Sequence, residues 1–107
     1  MPRCEEARVA RRKVTGYLLA TGHPVGGPKA WYFAAKGFSL EHPEEFERVL
    51  LRIACEGGVV KTEANPWGTK YVVEGEAATP KGEAILLKTV WMVAEEGVPV
   101  LVTAYPA

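Results

Sequence analysis

The residues best equipped for chemistry gather in Thr21-Gly22-His23-Pro24-Val25-Gly26-Gly27-Pro28-Lys29. An imidazole titrates near neutral pH and moves protons. An ammonium group holds a phosphate as a point charge. Glycines let backbone N–H groups approach an anion at the start of a helix. His23 and Lys29 are therefore candidates for proton transfer and phosphate neutralisation. The same spacing also suits a histidine that caps a helix or bonds a carbonyl. The P-loop spacing GxxxxGK[ST] is absent, so an NTPase reading fails.

A second group lies near the end of the chain. In Thr103-Ala104-Tyr105-Pro106, two hydroxyls stand two residues apart, so on a strand they share a face. Tyr105 can donate a proton or position a phosphate, or it can simply be an aromatic sheet end. Lys88-Thr89-Val90-Trp91 puts a hydroxyl and an indole on one strand face, fit for core packing or for base stacking. Trp67-Gly68-Thr69-Lys70-Tyr71 fits a stacking patch beside the Lys70 cation, or a glycine-assisted turn into a strand. His42 lies near a helix cap. No GxSxG, HExxH, CxxC or glycine-rich dinucleotide fingerprint occurs.

Composition narrows the classes. The chain has 107 residues, 48% hydrophobic and 24% charged, which suits one domain with its own core. Thirteen basic residues balance thirteen acidic ones, which argues against coating nucleic acid through bulk charge but permits a local basic site. Five of the basic residues fall in the first thirteen positions, so residues 1–8 are a candidate N-terminal arm of the 1–107 domain. There is no Asp, no Gln and one Asn, and eight residues are Pro, a composition that resembles heat-adapted proteins. Cys4 and Cys55 lie far apart, without ligand spacing, and are expected as free thiols rather than a zinc site. No apolar run approaches the ~20 residues of a membrane span, and the first thirteen residues are polar. The expectation is a soluble cytoplasmic protein without a membrane partner.

The elements that must position these groups follow from periodicity. Helical spacing predicts helices over 5–19, 28–36 and 43–55, the last with Pro43 at its start and Phe46, Val49, Leu50 and Ile53 on one face. The period then changes to that of strands, over 59–64, 69–77, 83–93 and 98–105, separated by turn residues. Short connections favour an antiparallel meander, and helices before strands imply α+β, with the helices on one sheet face. In the last strand the small residues Val100, Val102 and Ala104 are expected inward, and Leu101, Thr103 and Tyr105 outward.

The segments Tyr17-Leu18-Leu19, His23-Pro24-Val25-Gly26-Gly27-Pro28-Lys29-Ala30, Phe33 and Gly37-Phe38 resemble a small bacterial family of unknown function. They also resemble C-terminal toxin domains of contact-dependent and polymorphic secreted proteins. Gly68-Thr69-Lys70-Tyr71-Val72-Val73, Pro80-Lys81-Gly82, Thr89-Val90-Trp91 and Leu101-Val102-Thr103-Ala104-Tyr105 continue the match in order. Those toxin domains look like members of the barnase–EndoU–colicin–RelE superfamily. The resemblance implies a metal-independent ribonuclease site on the open face of a four-stranded sheet, with no cofactor. By that likeness His23 and Lys29 form the helix side of the site, and Thr89, Thr103 and Tyr105 the strand side. The expected partners are RNA and a cognate antitoxin-like protein, with the oligomeric state left open. The alternative is a non-catalytic protein-binding module of the same fold, engaged through an exposed strand edge.

Overall fold

The helical and alternating periods fold, in a computed structural model, as three N-terminal helices followed by a four-stranded antiparallel sheet. The structure describes residues 1–22 and 27–107, apart from the side chain of Pro28. Helix α1 (Arg11–Lys13) runs directly into a π-helical turn over Val14–Leu18. Helix α2 spans Gly27–Ala35 and α3 spans Pro43–Glu56. Strands β1 (Gly58–Asn65), β2 (Gly68–Ala78), β3 (Ala84–Val93) and β4 (Val100–Pro106) pair in sequence order.

Helix α3 forms for the reasons its sequence suggests. Pro43 occupies the first turn, where its missing N–H costs nothing, and Glu44 and Glu45 meet the positive end of the helix dipole. Its apolar stripe, Phe46, Leu50 and Ile53, is buried. Phe46 packs against both Phe33 and Phe38, with ring centroids 4.7 Å away in each case. Gly75 on β2 lets the helix approach closely, because a Cβ there would sit 3.2 Å from the Ile53 side chain. From the sheet, Val73, Leu87, Trp91, Leu101 and Ala104 complete one core with Val14, Leu18 and Phe33.

Three expectations are corrected by the fold. The helix expected over 5–19 starts only at Arg11. Ahead of it, Cys4–Glu6 form one 3-10 turn, and the Arg8 backbone joins the sheet. The Arg8 N–H donates to the Pro99 carbonyl at 2.8 Å, and the Leu101 N–H donates to the Arg8 carbonyl at 3.0 Å. These bonds fasten residue 8 beside Val100 as a parallel bridge. Helical backbone cannot offer groups to β4 in that way, so strand pairing wins over helical periodicity.

The cysteines are not free thiols. Cys4 and Cys55 form a disulfide, because the 3-10 turn and the last turn of α3 bring their Cα atoms to 5.1 Å. Bridging positions 51 apart removes roughly 4 kcal/mol of unfolded-chain entropy.

The third correction concerns β4. Leu101 is 4% exposed and belongs to the core, whereas Val100 and Val102 are 43% and 39% exposed. Leu101 pairs with Trp91 and Thr103 with Val90, leaving Val102 as an extra residue between them. This β-bulge shifts the alternation by one, so Leu101 and Ala104 both point inward.

Candidate functional site

The sheet register sorts its side chains into two faces. Tyr71–Trp91–Leu101 and Val73–Thr89–Ala104 are cross-strand rows that meet the helices. The alternate rows form the open face. One is Lys61–Val72–Val90–Thr103, the next is Glu63–Lys70–Met92–Val100, and on the other side runs Gly58–Glu74–Lys88–Tyr105. Side chains paired in this way stand about 5 Å apart at Cβ. Val72 and Val90 make a buried floor, 8% and 7% exposed, beneath the longer polar chains around them.

One cation reaches this face from the helical layer. Lys29 lies near the start of α2. Gly27 lets that helix start pack tightly, because a Cβ there would sit 2.8 Å from the Thr21 carbonyl oxygen. The Lys29 Nζ donates to the Thr103 Oγ1 at 3.1 Å. It also lies 4.9 Å from the centroid of the Tyr17 ring, which Lys13 approaches at 5.5 Å. The ring face attracts both ammonium groups. Tyr105, half-buried, follows Thr103 on the same face, with Lys88 as its cross-strand neighbour.

The candidate residues thus divide. Lys29 and Thr103 touch, and Tyr105 stands next along the strand. Lys70 shares the face one row away, where the Glu63 carboxylate lies 3.8 Å from its Nζ. Thr89 does not belong with them. It is fully buried on the helix-covered face; its hydroxyl donates to the Val73 carbonyl at 2.9 Å and accepts from the Trp91 indole N–H at 2.7 Å. A ligand on the open face cannot reach it, so it does not join Thr103 and Tyr105 on the strand side of such a site. His23 lies outside the described residues. His42 precedes α3 and places its Nδ1 3.4 Å from the Glu44 carboxylate.

Sequence reasoning passed over Lys61 and Lys88 as site residues. Lys61 shares Glu63 with Lys70, at 3.7 Å, while Lys88 has no ion pair among the described residues. Strand alternation from Lys70 and Tyr105 could have found both, once the pairing register was known. Four lysines, Lys29, Lys61, Lys70 and Lys88, therefore border the open face of a chain whose formal net charge is zero. Glu63 and Glu74 stand among them, and the described residues that could gather round a metal, Cys4, Glu5 and Cys55, lie elsewhere, with both cysteines in the disulfide. The arrangement suits an anionic ligand laid across the strands.

The fold is similar to one chain of the contact-dependent growth inhibition toxin–immunity protein complex from Klebsiella pneumoniae 342. The two superimpose with a TM-score of 0.74 at 17% identity, over 92% of this chain and 98% of that one. No curated protein matches the sequence. The model of a domain of unknown function, DUF6883, matches residues 1–107, and the chain belongs to that family.

Proposed function

We propose that this domain is a small metal-independent endoribonuclease of the toxin type, acting on RNA held across the open sheet face. The observation that carries the reading is the contact from Lys29 Nζ to Thr103 Oγ1. It brings a cation from α2 to the hydroxyl-bearing strand. The toxin-like fold supports the same reading, as does the lysine border.

In this scheme the ribose 2′-oxygen attacks the adjacent phosphorus as a base removes its proton. The bond to the 5′-oxygen breaks, that oxygen takes up a proton, and a 2′,3′-cyclic phosphate remains. Lys29 stabilises the charge that grows on the phosphoryl oxygens, where a preorganised donor is most effective. Thr103 holds the ammonium until the phosphate arrives and then orients that phosphate. Tyr105 is the proton donor or positioning group on the strand side. His23 is the proton-transfer group on the helix side, assigned from its place in the sequence. Lys70 binds the RNA backbone. An immunity-type protein is the expected partner, since the structural neighbour is part of a toxin–immunity protein complex.

The test is cleavage of total RNA by purified protein in EDTA. Wild type should produce fragments ending in cyclic phosphate. Lys29→Ala should slow the reaction by about 10²-fold, as loss of one charge-stabilising donor does elsewhere. RNA patterns that are identical for wild type, His23→Ala and Lys29→Ala at high protein concentration would sink the proposal.

A further inference from the structure

The two edges of the sheet are treated differently. At the β4 edge, residue 8 hydrogen-bonds alongside Val100 and Lys29 reaches Thr103. Among the described residues, none covers the β1 edge in this way. Every residue from Gly58 to Ala64 is exposed, and α3 packs on β2 and β3. Val59 and Val60 are 42% and 54% exposed, and Trp67 at the hairpin tip is 77% exposed. A strand bare on both faces and along its outer edge offers backbone N–H and C=O groups to another strand.

Charge decides which strand fits. Lysine on an edge normally repels a second edge. Here Lys61 is followed two residues later by Glu63, with Thr62 between. An antiparallel pairing about a twofold axis through Thr62 sets Lys61 of each copy opposite Glu63 of the other. Val60 is the extra residue of a bulge between Val59 and Lys61, so the regular pairing centres on Lys61, Thr62 and Glu63. Moving the twofold axis by one residue, a two-residue slide of the strands, sets Lys61 against its own copy or Glu63 against its own, and like charges directly opposite are destabilising. The existing contacts of Lys61 and Lys70 to Glu63, at 3.7 and 3.8 Å between exposed groups, are weak and oppose the exchange little.

We infer that β1 is a self-association edge, through which two copies join their four-stranded sheets into one continuous antiparallel sheet. The interface is isologous: each copy contributes its own β1 edge, so the pairing closes at the dimer. This inference is independent of the ribonuclease reading.

Light scattering and sedimentation of the full chain over a concentration series test it. Wild type should approach twice its 11.7 kDa mass and no more. Lys61→Glu and Glu63→Lys should each weaken association by about tenfold or more, since each sets like charges opposite at two symmetric points. Mixed in equal amounts, the two variants should dimerise again, because every Glu of one then faces a Lys of the other. That rescue also shows that both variants are folded. A wild-type chain that stays monomeric throughout overturns the inference and leaves the edge to a different protein's strand. A dimer indifferent to both substitutions, or a mixture that fails to recover, overturns it as well.

Discussion

Thr89 and Thr103 carry the same hydroxyl on neighbouring strands, yet they serve opposite ends. The first lies on the helix-covered face and spends both its donor and its acceptor on the protein. The second lies on the open face, where its one described hydrogen bond is accepted from the Lys29 ammonium. A sheet face packed on helices can hold a polar group only if that group is satisfied internally. A solvated face can hold one in reserve. The difference separates residues that maintain this fold from residues that can meet a ligand.

The largest effect should come from the covered face. Trp91 is fully buried against both helices and sheet, and Trp91→Ala should cost about 3–5 kcal/mol. Denaturant unfolding would read this, and a loss below 1 kcal/mol would mean that the core is assigned wrongly.

The paired threonines sharpen the contrast. Thr89→Val keeps the shape but leaves the Trp91 indole N–H without its acceptor, at roughly 1–3 kcal/mol. Thr103→Val should change stability by no more than about 0.5 kcal/mol. Equal losses at the two sites would erase the distinction between the faces.

The smallest effect concerns acid. The Glu44 carboxyl is held below its ordinary value of 4.5, first by its own backbone N–H at the start of α3; desolvation opposes this, and His42 and Arg11 lower it further. Glu6 is likewise lowered, chiefly by its bond from Arg3. A lowered carboxyl stabilises the fold fully above its unfolded value and loses that contribution as pH falls through the folded one. Stability should therefore decline slightly below about pH 4.5, and NMR titration should place both midpoints under the ordinary value. Midpoints at or above it would contradict the assigned contacts.

Much of the fold was legible because local chemistry and tertiary packing agree. Pro43, the two glutamates after it and the stripe from Phe46 to Ile53 specify α3 within a residue of its observed end. The β-branched runs and the turn residues between them specify four strands in meander order. The first helix was misread because Val9, Val14 and Leu18 keep helical spacing while the Arg8 backbone is bonded to β4 across ninety residues of sequence. The cysteine pair escaped for a related reason, since a bond across 51 positions depends on where two remote turns end. Lys29 and the terminal hydroxyls could be named as candidates from residue type. The inaccessibility of Thr89 could not, because it depends on which face of β3 the helices cover.

Residue order by itself determined the α+β class, the succession of helices before strands and the positions of α2 and α3. Each depends on contacts between near neighbours, which propensity and periodicity record. Only the tertiary structure decided which side of the sheet is open and which groups share it. The extra residue at Val102 reverses the alternation of β4, and whether it is accommodated there depends on hydrogen bonds to β3 rather than on β4 alone. One residue of register thus places Leu101 in the core and aligns the Thr103 hydroxyl with the open-face row that ends at Lys61.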